Sequence, residues 1–203
     1  MIVGVAHVDP RDIELVRDII LREKPEAVAV ELCKTRLEAL AHRERLSFKA
    51  LVRNPVGGII AGIEEYYARK FGVRPGMEML AAIKAAGEVG STVLLIDQPI
   101  QVTLSKISGI PLREKARLFL DVVLAPFFAR KTSLQDLRNP SFIDELVSQA
   151  RNRYPELFRV LVVERDFYMA SRIREALRYF SSIVAVVGRG HVEGIKKVLG
   201  LER

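Results

Sequence analysis

The sequence predicts an α/β fold: a mainly parallel core sheet of about four strands, flanking helices, and a largely helical insertion before the last strand. Three observations carry this. Short apolar runs at residues 2–6, 27–32, 92–96 and 183–187 have the length of buried strands. The first two bracket an amphipathic segment, the pattern of a βαβ unit whose right-handed crossover lays its strands parallel. Residues 100–180 carry helix signals almost exclusively.

The elements follow in order. The first strand gives way to Asp9-Pro10, an N-cap followed by Pro at the first helical position. Ile13, Val16 and Ile20, with Leu15 and Ile19 beside them, set the period of the helix, and Pro25 stops it. Ala27 to Leu32 is the second strand, and a helix over 35–45 follows with Leu37, Leu40 and Ala41 inward. Residues 46–76 are broken by Pro55, Gly57, Gly58, Gly62, Gly72, Pro75 and Gly76, although 59–71 keeps helical spacing. The Gly58/Gly62 pair suits close helix packing and is one candidate surface for a homo-oligomer. A helix over 77–88 ends near Gly90, and the third strand runs from Thr92 to Ile96, stopping at Asp97. In the insertion, Pro111 opens a helix to about Lys131 with a kink or break at Pro126. Asn139-Pro140 opens another to about Arg153, and Pro155 a long one, with a break, to Phe180. Ile183 to Val187 is the last strand and His191 to Leu199 the last helix. The insertion is expected to cover one end of the sheet. Residues 1–203 read as a single domain, long enough for a substantial core.

Composition narrows the function classes. Hydrophobic residues make up 49%, which excludes a disordered chain. The net charge of +7 is spread along the chain without the basic and aromatic interleaving of single-strand binders, so no nucleic-acid partner is expected. Cys33 is the sole cysteine, which rules out an internal disulfide and a cysteine-based zinc cluster. No uncharged run approaches the ~18 residues a membrane span requires. No basic-then-apolar leader opens the chain, so the expectation is a cytoplasmic, soluble domain.

Ligands in open parallel sheets bind at the carboxyl ends of the strands. The four predicted strand ends carry His7, Glu31, Asp97 and His191, all of types that bind metals or move protons. His7 and His191 share one local pattern, an apolar run followed by Gly-x-x-His: Gly4-Val5-Ala6-His7 and Gly188-Arg189-Gly190-His191. Glycine there permits a sharp turn or a close approach of another group. Neutral imidazole is both a metal ligand and a base. Glu31 ends an apolar strand, where a carboxylate is costly unless paired or coordinated; Arg36 and Arg165 are its candidate ion-pair partners. Two histidines and a carboxylate can hold a metal and leave positions open. Asp97, before Gln98-Pro99, suits a turn or cap as well as a site. His42, within His-Arg-Glu-Arg, reads as a surface residue and Cys33 as a buried inert thiol. Arg165 shares a helical face with Leu161, Tyr168 and Arg172, and suits a structural salt bridge or a grip on a carboxylate or oxyanion.

Several segments occur in the order found in TraB domains. They are Gly4-Val5-Ala6-His7, Val30-Glu31-Leu32-Cys33 with Arg36, Gly76-Met77-Glu78-Met79 and Leu95-Ile96-Asp97-Gln98-Pro99. Glu164-Arg165-Asp166 with Met169-Ala170, and Gly188-Arg189-Gly190-His191 with Gly194, complete the set. The chain, from residue 1 to about 199, resembles the TraB or pheromone-shutdown family within the TIKI and GumN-like superfamily. The resemblance implies a sheet fold related to erythromycin-esterase and ChaN-like proteins. It implies a site of two Gly-x-x-His motifs and a Glu, and relatives that act as metal-dependent proteases or limit a peptide pheromone. Carried over by position, His7, Glu31 and His191 become the candidate metal and catalytic residues, for zinc, manganese or cobalt, with Arg165 in support; Arg36 and Asp97 match motif positions without an assigned role. Val5 stands where Thr is usual, Arg189 where a small residue is usual, and Glu193 where Pro is common. A positive Arg189 beside His191 disfavours a metal. Many relatives continue into a membrane-spanning region, so the chain is either a soluble version or a trimmed domain.

Three functions are open at this point. The first is a metal-dependent hydrolase of peptide bonds, the second a metal-free hydrolase in which Glu31 orients a histidine base, and the third a non-catalytic module that binds a peptide or a partner.

Overall fold

The computed structural model describes residues 1–6, 9–41, 76–128, 136 and 139–201. Its centre is a four-stranded parallel sheet made of β1 (Ile2–Val5), β2 (Ala27–Val30), β3 (Thr92–Leu95) and β4 (Ile183–Gly188). The strand order is β1-β4-β2-β3, so the last strand in sequence is an inner one. β4 pairs with β1 through Ile2↔Ala185 to Val5↔Gly188 and with β2 through Ala27↔Ile183 to Val30↔Val186. The two strands of the predicted βαβ unit are therefore parallel but not neighbours.

Alternation of side chains across the sheet makes two cores. Val3, Val5, Val28, Val30, Val184 and Val186 face one way and pack on α1 (Pro10–Glu23) and α3 (Met77–Val89). Ala27, Ala29, Ile183, Ala185 and Val187 face the other way and pack on α8 (Glu164–Ala176) and α9 (Arg189–Leu199). The result is a three-layer sandwich. Its second outer layer pairs α8, from the end of the insertion, with α9, which follows the last strand, so the insertion covers part of a face of the sheet.

Local chemistry explains the helix boundaries. Asp9 caps α1 by accepting from the Arg11 N–H at 3.1 Å, with Pro10 at the first position. Asn139 does the same for α6 (Pro140–Arg153), accepting from the Ser141 N–H at 3.0 Å. Between β2 and α3 lies α2 (Lys34–Ala41). The insertion opens with α4 (Ile100–Gly109) and α5 (Leu112–Phe128), and α5 passes through Pro126 without a break. After α6, the helix expected from Pro155 is three pieces: α7 (Pro155–Phe158), a π-helical turn (Arg159–Val163) and α8. Buried Glu114 of α5 accepts from the Glu156 and Leu157 N–H groups, at 3.1 and 3.0 Å, and so satisfies the first turn of α7 from another helix. Ile107, Ile110, Leu118, Leu157 and Val160 form a small third core within the insertion.

The reading of 46–75, with its Gly58/Gly62 surface, falls outside the described residues, as do His7 and His42. Among the described residues, no helix is long and apolar enough to cross a membrane. Cys33 is buried and unpaired.

Candidate functional site

The carboxyl ends of β2, β3 and β4 come together, and the backbone arranges this. The Glu31 N–H donates to the Val186 carbonyl at 3.1 Å, which holds the end of β2 against β4. The Asp97 N–H donates to the Leu32 carbonyl at 3.3 Å, which holds the turn after β3 beside it. Glu31 and Asp97 are thus adjacent, and both side chains are only 4% exposed. Two carboxylates in so dry a place require a cation.

That cation is Arg165, the second residue of α8, directly after the π-helical turn. Its Nε donates to Asp97 Oδ1 at 2.9 Å and its Nη2 to Asp97 Oδ2 at 3.0 Å. Nη2 also donates to Glu31 Oε1. Nη1 donates to the Leu161 carbonyl at 3.2 Å and to His191 Nε2 at 3.2 Å. These contacts engage all five guanidinium N–H groups. Burial alone would pull the guanidinium pKa down, but the charges of Glu31 and Asp97 outweigh it and raise the pKa. Arg36 of α2 adds a looser contact to Asp97 at 3.6 Å.

His191 sits in the first turn of α9 and is buried. Its Nδ1 lies 2.6 Å from Asp166 Oδ1, and its Nε2 faces Arg165 and, at 3.4 Å, Glu31 Oε1. Arg165 can only donate, so Nε2 presents a lone pair and Nδ1 carries the proton toward Asp166. Burial pushes the Asp166 carboxyl above its ordinary range, against the bond from His191, which lowers it. The second oxygen of Glu31 accepts the Gly188 N–H at 2.6 Å, so Glu31 fastens the start of α9 to the end of β2.

The first Gly-x-x-His segment begins beside the second, because Val5 is in register with Gly188. The Ala6 N–H donates to buried Asp12 Oδ2 at 2.6 Å, and Asp12 Oδ1 lies 3.6 Å from Arg189 Nη2. Arg189, two residues before His191, therefore reaches to Asp12 on α1. Gly4 serves a close approach and not a turn: a Cβ there would lie 2.8 Å from Val192 Cγ2 and 3.3 Å from Arg189 Cγ on α9.

Of the residues singled out in the sequence, Glu31, Asp97, Arg165 and His191 meet, with Arg36 at the margin. Asp166 and Asp12 were missed as site residues. Each had a signal, a carboxylate in register with an apolar helical stripe: Asp166 with Met169, Ala170 and Ile173, and Asp12 with Val16 and Ile20.

Imidazole and carboxylate are suitable in kind for a divalent ion. As arranged, however, Glu31 Oε1 and His191 Nε2 both turn their lone pairs to the Arg165 guanidinium, which stands where a cation would bind them jointly. The described residues do not fit a metal while Arg165 keeps this position. Among the described residues there is also no group of three or more His, Cys, Asp or Glu side chains placed to hold one.

Known proteins place the chain. An uncharacterized protein of Methanocaldococcus jannaschii is 33% identical over 213 residues, covering 98% of this chain and 52% of its own length. TraB domain-containing proteins of Homo sapiens and Bos taurus are 27% and 26% identical, each covering 97% of this chain and 61% of its own length. The chain thus spans between about half and three-fifths of the relatives it matches. The TraB/PrgY/gumN family model matches residues 1–203 in full, and with the parallel sheet and its clustered strand ends described, the chain belongs to that family.

Proposed function

We propose that the chain is a hydrolase of acyl bonds, peptides being the first class to test, with His191 as base and Arg165 as a fixed cation beside it. The observation that carries this reading is the contact of His191 Nε2 with Arg165 Nη1 at 3.2 Å, at the carboxyl ends of the strands. A neutral imidazole can take a proton from water once Arg165 Nη1 gives up its Nε2 lone pair. The proton gained at Nε2 then faces Glu31 Oε1 at 3.4 Å, while Asp166 balances the ring from the other side. Arg165 is held by two carboxylates before any substrate arrives, so its charge is fixed in place beside the base. With every N–H engaged, it acts through its field or by releasing His191, and not as a free fork for a substrate carboxylate.

The test is hydrolysis of a mixed peptide library, followed by mass spectrometry, for wild type and His191→Ala. Loss of a proton-transfer residue is expected to lower the rate on the order of 10²- to 10⁴-fold. Equal rates would overturn the reading, and a peptide retained without turnover would make the chain a binding module.

A metal-dependent variant of the same reading, with zinc, manganese or cobalt at His7, Glu31 and His191, is favoured by one feature. Metal-bound histidines commonly give their other ring N–H to a carboxylate, as His191 does to Asp166. It requires the Arg165 guanidinium to leave Glu31 and His191. Elemental analysis of protein purified without a His-tag separates the two: one equivalent of metal in wild type, lost in His7→Ala/His191→Ala, establishes the metal variant. Activity that survives a chelator establishes the metal-free one.

A further inference from the structure

We infer that Asp166 is the positioning residue of His191, and that Gly194 is the gap in α9 that lets its carboxylate reach the ring. The inference deepens the proposed function and rests on it for the role of His191.

The geometry is specific. Asp166 and His191 lie on different helices, α8 and α9, which pack against each other on the sheet. Asp166 Oδ1 meets the ring at 2.6 Å. Its other oxygen, Oδ2, lies 1.9 Å from where a Cβ at residue 194 would be, and its Cγ lies 2.6 Å away. No side chain at 194 is compatible with this carboxylate in this place. Gly194 is three residues after His191, on the same face of α9, so the ring and the gap address one partner.

The energetics point the same way. Asp166 falls within the stripe formed by Met169, Ala170 and Ile173, where an apolar residue would pack without desolvating a charge. Its bond to the ring compensates that cost, and glycine in a helix adds a further cost. Two unfavourable choices on two helices converge on one hydrogen bond. The bond keeps the proton on Nδ1, leaves the lone pair on Nε2, and fixes the ring plane toward Arg165 and Glu31. Asp166 acts through His191 and not on a substrate.

The experiment is proton NMR of the whole chain in its downfield imidazole region, which needs no substrate. The expected result is a slowly exchanging Nδ1–H signal that is present in wild type, absent in His191→Ala and lost in Asp166→Ala. A signal absent from wild type, or one that persists in Asp166→Ala, overturns the inference. Asp166→Asn keeps the volume beside Gly194 if the alanine variant does not fold; there the signal is expected to move upfield, and an unmoved signal counts against the inference. With an active peptide in hand, Asp166→Asn is expected to lower kcat about 10- to 100-fold with KM little changed, as for partners that orient a working histidine. If the signal behaves as expected while His191→Ala keeps full activity, the hydrolase reading fails and the positioning stands.

Discussion

Arg165 is the residue on which two buried carboxylates depend. Replacement by Met keeps much of the stem and leaves Glu31 and Asp97 adjacent without the cation they share. Removing one partner of a buried ion pair costs roughly 3–5 kcal/mol, most of it the penalty of the charge left behind. Arg165→Met is therefore expected to lower unfolding stability in urea by that order, and a loss below about 1 kcal/mol, the scale of an exposed pair, would contradict the buried network. Asp12 supports a prediction with a pH sign. Burial is the main cause that raises its carboxyl above the ordinary 3.8, with Asp9 and Glu78 adding to it and the Ala6 N–H and Arg189 opposing. The folded chain thus binds the Asp12 proton more tightly than the unfolded chain. The stability this confers is full below the unfolded pKa and is lost as pH rises through the folded one. Asp12→Asn abolishes the titration and keeps an oxygen for Ala6. Its stability relative to wild type should rise with pH from just below 3.8 upward and then level off, as read from urea midpoints across that range. A difference that falls over the same range would reverse the assigned cause.

At the scale of elements, the contact of β1 with α9 is decided by Gly4. A methyl group at this position would press on Val192 Cγ2 at 2.8 Å, and a β-branched side chain has little freedom to withdraw. Gly4→Ala is expected to cost about 1–3 kcal/mol, the usual cost of overpacking, and to show it as a lower thermal midpoint. An unchanged midpoint would mean that α9 shifts freely over the sheet. The elements themselves were largely legible. Each apolar run ends at a charged or turn residue, and Asp9-Pro10 and Asn139-Pro140 announce their helices by side-chain chemistry alone. The π-helical turn at Arg159–Val163 was not, because Arg-Val-Leu-Val-Val carries no Pro or Gly to mark it. Leu15, which flanks the apolar period of α1, is exposed, while Asp12 is buried in the stripe. Reading burial from hydrophobicity fails there because the Ala6 N–H is a partner four residues outside the helix. Asp166 escaped for the same reason: its partner lies on another helix.

The site depends on strand order, which is a property of the whole molecule. Local sequence indicates that four strands exist and that their ends carry Glu31, Asp97 and His191. It does not indicate that β4 enters between β1 and β2, since that follows from packing across more than 150 residues, as in Met1 N→Ile183 O and the Gly188–Glu31 bond. The consequence is physical. Until residues 183–188 are present, β1 has no described neighbour and β2 pairs with β3 alone. Both cores lose Val184 and Val186 or Ile183, Ala185 and Val187, and α8 loses α9 and the His191 partner of Asp166. Non-local pairings of this kind bring loop-closure cost first and contact energy late. A fragment of residues 1–180 is therefore expected to keep helical circular dichroism from the insertion, which has its own small core, but to lose the cooperative unfolding transition. Adding a peptide of residues 181–203 should restore the transition, because that segment carries the inner strand and the helix that Glu31 fastens to it. The same peptide with Gly188→Pro, which removes the N–H that Glu31 accepts and disturbs the end of the strand, should restore it poorly. A fragment of 1–180 that unfolds cooperatively by itself would show that the sheet forms without its inner strand, and that the meeting of Glu31 and His191 does not depend on the entry of β4 between β1 and β2.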